Sequence, residues 1–187
     1  MLYRKQSLLK FSDDLAAKMA APGGGAASAN VACLGVSLMS MVINFTIGKR
    51  AYSQHEPWLK DTLRKSESLR KRFLELVDLD VQAFSGKDMR KALDIPFIVC
   101  RLSFEAARLC QELLRKSNVN LSSDVGVAAA LLDAAFSGAY LNVKVNLKII
   151  GDKALSGGML RELSVKKRGI AKIRAEIENG VGRIIEG

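Results

Sequence analysis

Asp80 is an acid placed where an acid is costly. It lies seven residues after Phe73, three after Val77 and four before Phe84. At about 100° per residue, that spacing sets its carboxylate inside the apolar stripe of one helix. Asp78 is turned by roughly 160° from Asp80 and falls off the centre of the stripe. A carboxylate facing a core must be paired, hydrogen-bonded or protonated. Partial burial raises its pKa toward a value useful for proton transfer. The bland alternative is a helix-end Asp paired with a neighbouring Arg or Lys.

Asn142 and Asn146 stand one helical turn apart on a face that also carries Ala128, Leu131, Ala135 and Gly138. Paired amides over small residues leave space for a heterocycle and offer both donors and acceptors. Hydrogen bonding between helices is the structural alternative. Pro22-Gly23-Gly24-Gly25 precedes a run without charge, since no Asp, Glu, Lys, Arg or His lies between Lys18 and Lys49. Glycines let a ligand approach the backbone closely. A helix start presents unpaired N–H groups that favour an anion or carbonyl. A tight turn is the other use of such glycines. Lys49, Arg50 and Tyr52 close the same segment, where cations suit a helix C-terminus or a substrate carboxylate.

Helices must position these groups. Only three prolines interrupt 187 residues, and Leu, Ala, Lys, Arg and Glu dominate. A short helix is expected over Phe11–Ala20, with Ser12 or Asp13 near its start. A buried helix is expected from about Gly25 to Phe45. An amphipathic helix follows Pro57, its stripe formed by Leu59, Leu63, Leu69, Phe73, Val77 and Phe84. Asp94-Ile95-Pro96 reads as a cap and an early helical proline, opening a helix to about Lys116. Ser122-Ser123-Asp124 opens the next, nearly uncharged from Val125 to Val143, with Asp133 the exception and off the asparagine face. The last runs from about Gly158 to Asn179. The expected architecture is an all-α, antiparallel up-and-down bundle, one domain over residues 1–187, with two long, largely apolar, buried helices. Two such helices in so short a chain need more cover than one subunit supplies, which points to an oligomer.

The remaining composition narrows the chemistry. The lone His55 and the scattered Cys33, Cys100 and Cys110 make no metal-ligand spacing, so no metal is expected. The cysteines read as small buried side chains in a reducing, cytoplasmic setting. A net charge of +10 calls for an acidic partner. Few aromatics and no nucleic-acid signature favour a small polyanion over nucleic acid. Met19–Gly48 has the length to cross a bilayer, but its spread of Ser, Asn and Thr suits a protein interior better.

Four blocks, in order, resemble the formiminotransferase-cyclodeaminase family, specifically its cyclodeaminase domain. They are Pro22-Gly23-Gly24-Gly25 with its Ala/Ser tail; Met41-Val42 through Thr46, Gly48-Lys49 and Tyr52; Asp80 with Ala83-Phe84, then Pro96; and Ser123-Asp124-Val125-Gly126 through Gly138-Ala139-Tyr140, Asn142-Val143, Asn146-Leu147 and Asp152. Ala26 stands where the family usually has serine, the nearest hydroxyl being Ser28, and Phe97 stands where a basic residue is common. The resemblance implies a helical homodimer acting on a tetrahydrofolate derivative, with no permanently bound cofactor. It implies conversion of 5-formiminotetrahydrofolate to 5,10-methenyltetrahydrofolate and ammonia. A methenyltetrahydrofolate cyclohydrolase is the alternative within the fold, and a non-catalytic folate-binding bundle the alternative outside enzymes. On this reading Asp80 moves the proton. Gly23, Gly24, Gly25, Ser28, Lys49, Asn142 and Asn146 bind a substrate whose glutamate tail the basic surface attracts.

Overall fold

The computed structural model describes residues 2–187, with six α-helices and no strand among them. They are α1 (Leu8–Ala16), α2 (Gly24–Asn44), α3 (Glu56–Ser85), α4 (Met89–Lys116), α5 (Ser122–Ile150) and α6 (Lys153–Glu186). Short 3-10 turns precede α1, α3 and α5.

Cross-helix contacts fix the topology. Gly25 meets Asp80, Cys33 Sγ lies 3.7 Å from the Arg70 carbonyl, and Ser40 and Ser66 hydroxyls are 2.9 Å apart, so α2 and α3 run antiparallel. Gly24 meets Asn142, and the Asn118 N–H donates to Thr46 Oγ1 at 3.0 Å, so α5 returns along α2. The Cys100 and Cys110 thiols reach the Phe136 and Val125 carbonyls, which sets α4 against α5 in opposite directions. Helices α2 to α5 thus form an up-and-down four-helix bundle, closed by α2 on α5. Helix α6 lies outside, on α4 and α5. By length and apolarity alone, Gly24–Asn44 and Val119–Ile150 could each cross a membrane; here they pack on one another. Gly35 permits that packing: a Cβ there would sit 3.1 Å from Leu132 Cγ and 3.2 Å from the Ala128 carbonyl.

Several boundaries differ from expectation. Helix α1 starts at Leu8 and ends at Ala16, because Ser7 caps it by accepting from the Lys10 N–H at 3.1 Å. Ser12, an expected start, is interior and bonds back to the Leu8 carbonyl. Helix α4 starts at Met89 under an Asp88 cap, leaving Pro96 well inside it and Asp94 paired with Arg90. Helix α6 runs longer at both ends, capped by Asp152. Phe84 leaves the core as α3 ends and is 58% exposed. Neither long apolar helix is buried all round: α2 leaves Leu34 and the adjoining Phe45 exposed, and α5 keeps an exposed apolar edge at Leu141, Val145 and Ile149.

Asp78 also differs. It is only 2% exposed, more deeply buried than its place off the stripe implies. The N-terminal turn covers it: Arg4 Nε lies 3.2 Å from Oδ2, and the Arg4 backbone N–H donates to Oδ1 at 3.3 Å. A buried carboxylate that loses its cation keeps the cost of leaving water. Arg4→Ala is therefore expected to lower unfolding free energy by about 1–2 kcal/mol in urea titration. An unchanged midpoint would show that the ion pair contributes nothing.

Candidate functional site

One end of the four-helix bundle gathers the start of α2, the end of α3, the start of α4 and the end of α5. The glycines there make room for side chains from the neighbouring helices. A Cβ on Gly25 would overlap the Asp80 carboxylate, and one on Gly24 would stand 3.2 Å from Asn142 Nδ2. Gly23, the residue before the helix, has open space around its Cα. Gly25 thus makes room for an acid on one side, and Gly24 lets an amide approach on the other.

Asp80 sits against the first turn of α2. Burial raises its pKa from 3.8 to about 6, and the Ala26 backbone N–H holds it back from rising further. Asp80 forms no ion pair with any described residue, and no cation contributes to the shift. Desolvation therefore outweighs the help of a helix N-terminus. At neutral pH the group is mainly a carboxylate, with a protonated fraction large enough to give and take protons.

The amides on α5 are anchored to backbone. Asn142 Nδ2 donates to the Gly138 carbonyl at 3.0 Å, leaving Oδ1 and one N–H beside Gly24. Asn146 Nδ2 donates across to the Ala92 carbonyl of α4 at 2.6 Å. Pro96 explains that bond. A proline inside a helix has no N–H for the carbonyl four residues earlier, which here is Ala92. Asn146 supplies the missing donor and ties α4 to α5 at the site. Sequence spacing pairs the asparagines but not their partners; the signal was present, since Pro96 inside a helix orphans Ala92.

The other expected site residues divide. Ser28 is buried one turn into α2, and its hydroxyl donates to the Gly24 carbonyl at 2.7 Å. A Cβ on Gly138 would meet that hydroxyl, so Gly138, noted in the sequence only as a small residue, is what lets α5 approach here. Lys49 lies beyond the other end of α2, about 30 Å away along a 21-residue helix, and is not brought to Asp80 within one chain. Asp133 pairs with Arg174 of α6 at 3.1 Å and belongs to another surface, in keeping with its place off the asparagine face. A cavity of about 610 Å³ opens between α3 and α4 beside Lys65, Glu105 and Arg108. It lies some 20 Å along α3 from Asp80.

Two tests follow from these bonds. The folded pKa of Asp80 exceeds the unfolded one, so the native state holds more protons between pH 3.8 and about 6. Stability falls as pH rises through that window, by about 3 kcal/mol in full. Asp80→Asn is expected to be about 1–3 kcal/mol more stable than the parent at pH 8 and no more stable at pH 3.5, by urea unfolding. A gain equal at both pH values would remove the burial argument. Asn146→Leu is expected to cost about 1–3 kcal/mol, because it leaves the Ala92 carbonyl unpaired. In a Pro96→Ala background, residue 96 regains its own N–H and that cost should shrink by more than half, a coupling read from a double-mutant cycle.

A family model described as formiminotransferase-cyclodeaminase matches residues 7–87 and 85–165. A methenyltetrahydrofolate cyclohydrolase of Methylorubrum extorquens is 34% identical, over 84% of this chain and 87% of that protein. A formimidoyltransferase-cyclodeaminase of Rattus norvegicus is 30% identical over 78% of this chain, which spans 31% of the rat protein. The crystal structure of formiminotetrahydrofolate cyclodeaminase from Thermotoga maritima superposes with a TM-score of 0.92 at 29% identity, covering 97% of this chain and 98% of the other. The fold, the ordered motifs and these matches agree: the chain belongs to the formiminotransferase-cyclodeaminase family.

Proposed function

We propose that the chain is a formimidoyltetrahydrofolate cyclodeaminase, closing 5-formiminotetrahydrofolate to 5,10-methenyltetrahydrofolate with release of ammonia, and that it works as a homodimer in the cytoplasm. The observation that carries the mechanism is the Asp80 carboxylate, desolvated, unpaired by any cation and set against the start of α2, whose neighbouring Gly24 faces Asn142. Its pKa of about 6 suits a group that must both accept and return a proton.

The chemistry balances around one carboxylate. N10 of the folate attacks the protonated formimino carbon, forming the N10–C bond and a tetrahedral centre. Asp80 takes the proton that N10 sheds and delivers it to the amino nitrogen on that carbon. The C–N bond to ammonia breaks, and the N5 lone pair closes the cationic amidine. The substrate cation and the product cation carry the same charge, so no net proton is consumed. The Asp80 carboxylate faces positive charge throughout and stabilises it in a water-poor setting. Asn142 and Asn146, each tied by one amide N–H, keep their Oδ1 atoms as acceptors for donors on the pterin ring. The net charge of +10 draws the anionic glutamate tail, most strongly when it is polyglutamylated.

A second reading has support of its own. The 34% identical relative is named a methenyltetrahydrofolate cyclohydrolase, which joins the same bicyclic product to the formyl compound through water. Only a leaving group differs, so one experiment separates the two. Purified protein is given 5-formiminotetrahydrofolate or 10-formyltetrahydrofolate, and methenyl absorbance is followed beside ammonia. The expected result is methenyl product and ammonia in equal amounts from the formimino substrate, with kcat/KM falling below about pH 6 as Asp80 protonates. Asp80→Asn should reduce kcat by about 10²–10⁴-fold. Near-parental turnover in that variant would remove the proton-transfer role, and turnover of the formyl compound alone would favour the cyclohydrolase.

A further inference from the structure

The outer face of α2 has a period and a symmetry, and the single chain covers it only in part: Val31, Leu38 and Met41 touch the core and stay half-buried. Ala27, Val31, Leu34, Leu38, Met41 and Phe45 are all outside the fully buried set, while Ala29, Val36, Met39 and Ile43 are buried. Their spacings are four, three, four, three and four, which is the heptad rhythm of a coiled-coil seam. Leu34 is 50% and Phe45 61% exposed. The seam is bordered by Asn30, Ser37 and Asn44, again seven apart, and carries no charge at any position.

The seam is also palindromic about Val36. Turned end over end on itself, Ala27 meets Phe45, Val31 meets Met41, and Leu34 meets Leu38. Each pair recurs on both sides of the axis, as an isologous two-fold contact requires, and couples a smaller with a larger side chain or two leucines. The same register sets the Gly24 end of one α2 beside the Asn44 end of the other, and Lys49 follows that end after a turn through Gly48 (φ +82°). The two ends of α2 differ in charge. The Gly23 end holds the Asp80 carboxylate with no cation, and the far end holds Lys49 and Arg50, which form no ion pair among the described residues. An antiparallel partner sets each end against its opposite.

We propose that α2 pairs antiparallel with α2 of a second copy through this seam, and that the pairing delivers Lys49 of each chain to the Asp80 site of the other. A heptad seam crosses at about 20°. With axes about 9 Å apart at the crossing, points about 20 Å from it lie about 11 Å apart axis to axis, a gap that a lysine side chain on one helix bridges to the surface of the other. Each composite site then contains the acid, the glycine turn and the asparagines of one chain and the cation of the other. The ammonium meets an anionic carboxylate of the substrate beside the glycine turn. That last role rests on the folate reading; the pairing and the placement of Lys49 do not.

Two cysteine pairs test the geometry without turnover. Val31→Cys with Met41→Cys places thiols about 15 Å apart in one helix, too far to join within a chain. Gly23→Cys with Lys49→Cys places them farther apart still, and Gly23 has open space for the new side chain. The native Cys33, Cys100 and Cys110 are buried and free, so the parent chain serves as the uncrosslinked control. Mild oxidation should give a covalent dimer on non-reducing gels from both variants. A dimer by sedimentation that neither pair crosslinks, or a monomer, overturns the pairing; crosslinking by the first pair alone overturns the delivery of Lys49. Activity then supplies an independent check. Asp80→Asn and Lys49→Ala are each expected to be impaired, and dissociated and remixed they form hybrids with one intact site, restoring about a quarter of parental turnover at low substrate. No restoration in an otherwise active protein overturns the shared site, whereas a parent inactive on either folate overturns the functional reading and leaves the crosslinks to judge the pairing.

Discussion

The packing of the Asp80 carboxylate against Gly25 is the contact on which the bundle's functional end depends. It demands a residue without a side chain at the second position of α2. It demands that α3 run long enough to bring an acid back to the start of α2. It also removes water from a group that would otherwise ionise freely, and supplies no cation in exchange. Folding could satisfy that acid with a lysine, as it satisfies Asp78 with Arg4. Two carboxylates two residues apart on one helix therefore live in opposite environments. One is neutralised by a pair and structural; the other is left proton-hungry.

The opposite faces of this end are held by backbone acceptors. Asn142 and Asn146 each spend an amide N–H on a carbonyl, one in their own helix and one in α4. Such bonds cost the asparagines rotational freedom that a ligand would otherwise have to remove. The Ala92 carbonyl, left without a helical donor by Pro96, is what makes the second bond necessary. A helix irregularity in α4 thus fixes an amide on α5, and the fold carries orientation across the bundle without a charged group.

Much of this could be read from residue order. Helical periodicity locates α3, uncharged runs locate α2 and α5, and the stripe from Phe73 to Val77 puts Asp80 on an inward face. The ordered motifs carried the family. Periodicity failed where the chain is governed by single bonds. Ser7 rather than Ser12 starts α1 because its hydroxyl meets the Lys10 N–H, and two serines look alike to a pattern. Pro96 was expected near a first turn, where prolines are common, yet Asp88 caps the helix a full two turns earlier. The angle of Asp78 on α3 sets it off the stripe, and the N-terminal turn that buries it comes from 74 residues away. Lys49 follows α2 in sequence, but a straight helix carries it to the far end of the bundle.

The unpaired state of Asp80 has one more effect, on ligand entry itself. A carboxyl group that retains some protons near neutrality gives them up when positive charge arrives beside it. Occupation by a cationic guest would then expel a fraction of a hydrogen ion to the medium, so the measured heat of association would vary with the ionisation enthalpy of the buffer. The site is, in effect, a weak acid that becomes a stronger one when a cation arrives.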